Sequence, residues 1–139
     1  MTTQLNPAIY AQAIDGQLTT IFDPVPVYSS FNRNYATEGS FVTWTLRNVH
    51  QPVYTGQTQS NKGIDRPTFQ ISIFSQNMEV VFELSNTLLQ QLHGYSGQFG
   101  SAETNFWIAK ADVFWLYNTY DDELKLHQII LDCTLDIPA

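Results

Sequence analysis

The run from Arg66 to Leu92, RPTFQISIFSQNMEVVFELSNTLLQQL, passes from a strand period to a helix period with almost no loop between them. Phe69, Ile71 and Ile73 alternate with Gln70 and Ser72, the spacing of a strand with one buried face. Met78, Val81, Phe82, Ser85, Leu88, Leu89 and Leu92 then share one helical face, opposite Glu79, Glu83, Asn86, Gln90 and Gln91. The junction defines a compact α+β unit and carries no catalytic signature.

The flanks extend that unit. Asn6 as N-cap and Pro7 at the first helical position open a helix over residues 6–22, with Ile9, Ala13, Leu18 and Ile21 on one face across Gly16. Pro24 and Pro26 exclude a helix from the connection Asp23 to Ser40. Val42, Trp44 and Leu46 alternate as a strand, and the polar segment Asn48 to Asp65 reads as a long hairpin connection, with a projecting ribbon around Val53 and Tyr54. Gly94 ends the second helix, and Gly94 to Glu103 reads as a loop. Trp107, Ala109, Ala111, Val113, Trp115 and Tyr117 predict one face of a long strand. After a turn at Asn118 to Glu123, Ile129, Leu131, Cys133, Leu135 and Ile137 point inward from a last strand. The expected fold is a single α+β domain over residues 1–139: a mainly antiparallel four-stranded sheet with two helices packed on one face. The element order is α-β-β-α-β-β, with the long hairpin between the first two strands.

A chain of 139 residues buries about two-thirds of its unfolded surface and needs no metal or disulfide staple. Its net charge of −7 argues against gripping nucleic acid through phosphate neutralisation. The same charge suits a surface past which nucleic acid slides. The nine Phe, seven Tyr and three Trp are enough to fill a core and leave aromatics at the surface for protein contacts. A single cysteine, Cys133, excludes an internal disulfide and a thiolate zinc cluster, and its apolar alternation reads as a small buried hydrophobe. With no signal segment at MTTQLNPAIY and no run near the roughly 18 apolar residues of a membrane span, the expected place of synthesis is a cytoplasm and no membrane partner is expected.

Little in the residues points to chemistry. His50, His93 and His127 are too dispersed for a metal spacing, and His93 in the last helical turn suits the helix dipole. Asp121, Asp122 and Glu123 lack the spacing and glycine of a calcium loop and read as a solvated turn. GYSGQFGS follows a helix, whereas a phosphate cradle follows a strand. The best catalytic pair, Asp112 with His127, falls on opposite strand faces by parity. No catalytic residue, metal site or cofactor is expected, and the protein is not expected to be an enzyme.

The sequence from Phe41 to Phe82, FVTWTL, a polar hairpin, RPTFQISIFS and then the helix, resembles the tail-completion or tail-terminator proteins of tailed phages. The likeness rests on Phe69, Ile71, Ile73, Phe74 and Ser75 leading directly into a helix that ends in Leu92, His93 and Gly94, and extends through the final hairpin. It implies a non-enzymatic virion protein that forms a homo-oligomeric ring, commonly a hexamer, at the head-proximal end of a tail and is assembled in the host cytoplasm. Its implied partners are the tail-tube protein on one face and a head connector or neck protein on the other, with DNA passing through unbound. The interface residues expected on this reading are Tyr54, Gln57, Gln59, Asn61 and Lys62 on the hairpin, together with Asp121, Asp122 and Glu123, which either line the lumen or meet a neighbour's Arg33, Arg47 or Arg66. The rival reading is a small-molecule-binding or isomerase-like α+β domain, which requires a deep apolar cavity holding a desolvated carboxylate.

Overall fold

A computed structural model describes residues 7–32, 38–50 and 64–138. In chain order the elements are α1 (Pro7–Phe22), β1 (Val27–Ser29), β2 (Ser40–His50), β3 (Ile64–Ser75), α2 (Met78–Leu92), β4 (Gly97–Gly100), β5 (Asn105–Ile108), β6 (Lys110–Asp121) and β7 (Leu126–Pro138).

The strand-to-helix junction forms as its periods dictate. Ser75, the last residue of β3, accepts hydrogen bonds from the Ser40 hydroxyl at 2.9 Å and from the Asn77 backbone N–H at 3.1 Å, which turns the chain out of the sheet. Asn77 then caps α2, its Oδ1 accepting from the Glu79 N–H at 2.9 Å. At the other end Gly94 adopts φ 79°, and its N–H donates to the Ala111 carbonyl at 2.7 Å, tying the helix terminus to β6.

The main sheet has strand order β1-β2-β3-β7-β6, with β1 parallel to β2 and every other pair antiparallel. Val42 and Trp44 of β2, Phe69, Ile71 and Ile73 of β3, and Ile129, Leu131, Cys133, Leu135 and Ile137 of β7 share one buried cluster with Tyr10, Ile14 and Leu18 of α1 and Val81, Leu88 and Leu92 of α2. Both helices therefore cover the same face of the sheet. A smaller cluster of Phe41, Phe74 and Leu126 closes one end of the opposite face.

The structure corrects the expected four-stranded sheet in two ways. The connection after α1 contributes β1 as a fifth, parallel strand, which Pro24 and Pro26 permit because they forbid only a helix. The expected loop 94–103 instead supplies β4, which pairs with β5 as a separate hairpin. Its one buried anchor, Phe99, lies between glycines at φ 144° and 128°, so no alternation marks it in the sequence. The expected long strand from Trp107 breaks at Ala109: Ile108 is buried on β5 while Trp107 is 50% exposed, reversing the parity predicted for both. Ile9, Met78 and Phe82 are exposed, at the margins of the helical faces to which their spacing assigned them. Gly16 does not interrupt α1. A Cβ there would stand 2.7 Å from Ser101 Cβ, so glycine allows the turn between β4 and β5 to lie directly on the helix.

Candidate interaction surface

β6 is the outer strand of the sheet, twelve residues long, and from Phe114 to Tyr120 every residue is exposed. Its pairing with β7 determines which way each side chain points. Phe114 and Tyr117 lie opposite Asp132 and Ile130 on the helix-free face, and Trp115 and Tyr120 lie opposite Leu131 and His127 on the helical face. Between Trp115 and Tyr117 the register slips by one residue at Leu116, a bulge that lets FWLY present large apolar groups to both sides. On the helical side Trp115 stacks against Phe82 of α2 at 6.3 Å, with Met78 exposed one turn earlier, and Tyr120 meets the His127 ring edge-on at 4.9 Å. Phe82, Phe114, Trp115, Leu116, Tyr117, Tyr120 and Met78 are each 40–56% exposed. Edge strands are commonly blunted by lysine, proline or brevity, as the three-residue β1 does at the other edge, but no charge or proline interrupts Phe114 to Tyr120.

The helix-free face away from this edge is polar and internally paired. Arg47 binds Asp132, Arg66 Nε binds Asp136 at 3.1 Å, Lys110 binds Asp112 at 3.3 Å, and the Thr68 and Thr134 hydroxyls meet at 3.1 Å. The second carboxylate oxygen of Asp132, Oδ1, is buried without a hydrogen-bond partner. Among the described residues every lysine and arginine lies on β2, β3, β6 or the turn after β6, so the helical layer carries acids alone: Asp15, Asp23, Glu79, Glu83 and Glu103.

Of the interface residues expected from the sequence, Tyr54, Gln57, Gln59, Asn61 and Lys62 lie outside the described residues, as does Arg33. Arg66 is engaged within the chain by Asp136, near the end of β7. Within one chain the acidic turn stands at the start of β7, at the opposite end of the sheet from Arg66. Asp121 Oδ1 accepts from the Glu123 and Leu124 N–H groups at 3.0 and 3.1 Å, which orders the turn and leaves Asp122 and Glu123 exposed. The apolar edge was missed because strict alternation assigned Trp115 and Tyr117 inward. The available signal was the unbroken FWLY, which no single buried face can absorb.

The possible chemical groups are used structurally. Asp112 pairs with Thr134 and His127 with Tyr120, placing them at opposite ends of β7. His93 Nδ1 accepts the Val113 N–H at 2.9 Å, which docks the end of α2 on β6. Cys133 is fully buried, and burial first, then the nearby Asp112 and Asp132 carboxylates, push its thiol up to about 12. The buried Asp65 accepts the Tyr10 hydroxyl, joining α1 to β3. An open groove of about 480 Å³ between α1 and the β4–β5 turn is lined by polar groups including Gln12, Asp15 and Glu103, with Asp15 already accepting the Trp44 indole N–H at 2.9 Å. That groove is open, whereas the small-molecule reading requires a deep apolar cavity.

No protein-family model matches this sequence, and no curated protein matches it. Solved structures do. A protein of the native gene transfer agent virion superposes with a TM-score of 0.58 at 13% identity, over 94% of this chain and 92% of that one. A second solved protein gives 0.59 at 11% identity over 98% of both chains. A sheath/tube terminator of an extracellular contractile injection system, in its extended state, reaches only 0.49 at 10% identity and is covered over 58% of its length, too little to support an argument. At these identities the likeness is one of fold: the resemblance read in the sequence is met by a fold that a virion protein also uses, along nearly the whole chain.

Proposed function

We propose that this protein is a structural component of a virion, a tail terminator that closes the head-proximal end of a tail as a homo-oligomeric, hexameric ring. The observation that carries the reading is the long apolar edge of β6, a surface suited to protein contact, in a chain whose fold is shared with a virion protein. One face of the ring meets the tail-tube protein and stops polymerisation; the other presents a surface to a head connector or neck protein. Residues 54–62 and the acidic turn Asp121 to Glu123 supply contacts between rings or subunits. The acid-only helical layer suits DNA passage without binding, and the hydrogen-bonded roles of the carboxylates and histidines suit a protein that performs no catalysis. Assembly takes place in the host cytoplasm.

The test is to mix purified protein with polymerising tail-tube protein and examine the product by light scattering and negative-stain microscopy. Tubes capped at one end by a ring and arrested in length are expected. Uncapped tubes that keep growing beside free protein refute the reading.

A further inference from the structure

The outer edge of β6 is closed over its first residues and open beyond them. The Ala111 N–H donates to the Tyr95 carbonyl at 3.0 Å, the Ala111 carbonyl accepts from the Gly94 N–H at 2.7 Å, and the Val113 N–H donates to His93 Nδ1 at 2.9 Å, so the chain leaving α2 covers this stretch. Backbone groups alternate in direction along a strand, and the extra residue at Leu116 shifts the count by one. Past the bulge, Asn118 and Tyr120 therefore turn their N–H and C=O groups away from β7, and among the described residues no hydrogen bond meets them. Large side chains flank this open stretch, with Phe114 and Tyr117 on the helix-free face and Trp115, Tyr120, Phe82 and Met78 on the other. Taking about 200 Å² for each fully exposed aromatic residue, their exposed fractions with that of Leu116 amount to roughly 600 Å². That is the upper end of the roughly 300–600 Å² reached by the largest apolar patch on a typical monomer.

We infer that the open part of β6, from Phe114 to Tyr120, accepts an extended segment of another protein as a further strand of the sheet, and that this segment alternates apolar with basic residues. Charge selects the occupant. Glu79 and Glu83, both exposed, form the helical ridge beside Met78 and Phe82, and Asp121, Asp122 and Glu123 close the far end of the edge, with Lys125 as the turn's cation. On the helical face, lysine or arginine stems of the incoming strand lie over the Trp115 and Tyr120 rings and carry their charges toward these acids. On the helix-free face, its apolar side chains cover Phe114 and Tyr117. A second copy of this chain, at net charge −7, would bring the same acids to the contact. Its β6 cannot pair along the whole strand, because residues 93–95 stand beside Ala111 and Val113, and its other sheet edge, the three-residue β1, is shorter than the open stretch.

The strand-accepting edge stands independently of the ring. Only its place in assembly rests on the proposed function, in which the tail-tube or neck protein supplies the segment.

The test is an NMR titration of the isotope-labelled full chain with an acetylated, amidated octapeptide of alternating valine and lysine, and with the matching peptide of valine and glutamate. At about 50 mM salt the lysine peptide is expected to bind at least about tenfold more tightly than the glutamate peptide, a preference that fades at about 500 mM. It should also protect the Asn118 and Tyr120 amides, which exchange freely in the chain alone. Asn118→Pro removes an N–H that bonds nothing within the chain and should abolish protection at Tyr120 while moving the urea midpoint little. Glu79→Gln combined with Glu83→Gln should cut the preference by about threefold or more, a readout that does not depend on the folding of the proline variant. Equal binding of the two peptides, binding that leaves both amides unprotected, or no binding overturns the inference. So does protection that arises in the chain alone as its concentration rises, which would assign the edge to a second copy. Uncapped, growing tubes beside a chain that takes the lysine peptide refute only the ring, and capped tubes beside unprotected amides refute only the strand.

Discussion

Replacing a glycine inside a helix by alanine ordinarily stabilises it by about 1 kcal/mol, since alanine restricts the unfolded chain and glycine does not. Gly16, in the middle of α1, should reverse that sign. Its missing Cβ would lie 2.7 Å from Ser101 Cβ, 3.2 Å from Ser101 N and 3.3 Å from Ser101 Cα. Carbon atoms rest about 3.5–4.0 Å apart, so the helix and the β4–β5 turn must separate by roughly 1 Å. That turn cannot move freely: Gly100 N–H donates to Gln17 Oε1 at 2.9 Å, the Thr104 hydroxyl to Gln12 Oε1 at 3.2 Å, and Ser101 N–H closes on the Thr104 carbonyl at 2.8 Å. Overpacking of this kind costs about 1–3 kcal/mol, which leaves Gly16→Ala less stable by up to about 2 kcal/mol after the propensity gain is subtracted. Urea unfolding with an unchanged m-value measures it. Ser101→Gly removes the nearest clashing atom, so the double variant should regain at least about 1 kcal/mol, a coupling that additivity cannot produce. A Gly16→Ala protein more stable than wild type, or effects that simply add, would refute the close approach.

Cys133 and Asp132 carry the other two expectations. With its folded-state value raised to about 12 from the ordinary 9.0, the Cys133 thiol stabilises the fold fully below pH 9, and the contribution is lost as pH rises toward 12. The stability difference between wild type and Cys133→Ala should therefore shrink by up to about 1.4 kcal/mol per pH unit above 9, read from urea midpoints at pH 8 and 10; a constant difference contradicts it. Arg47→Ala should destabilise by about 1–2 kcal/mol, because it strands a mostly buried carboxylate whose Oδ1 already lacks a partner. Asp132→Ala should cost under about 1 kcal/mol, since the half-exposed guanidinium returns to water; thermal unfolding in which Asp132→Ala is the worse of the two denies the asymmetry.

The interior was legible residue by residue. The alternations around Phe69, Ile71 and Ile73 and from Ile129 to Ile137 gave the buried face of two central strands, and the spacing of Val81, Ser85, Leu88 and Leu92 gave the buried stripe of α2. Alternation failed where a strand leaves the core. Trp115 and Tyr117 keep the inward parity of Ala111 and Val113, yet α2 covers only the first part of β6, and the bulge at Leu116 resets the count. A strand as short as β1, or one anchored by a single residue such as Phe99, has no period to read. The expected contact surface held only polar hairpin and turn residues and left out the β6 edge, because polarity marks exposure in a sequence while exposure of apolar groups leaves no mark.

What the sequence determined by itself was the direction of most core side chains and the succession of strand and helix, since both follow from backbone periods that repeat every two or 3.6 residues and need no knowledge of distant partners. Only the tertiary structure decided which strand stands at the edge. That follows from β7 inserting between β3 and β6, a pairing of segments far apart in the chain that no local period encodes. The same insertion leaves FWLY with a neighbouring strand on one side only, and so exposes Trp115 and Tyr117, which alternation had assigned inward, together with Phe114 and Leu116.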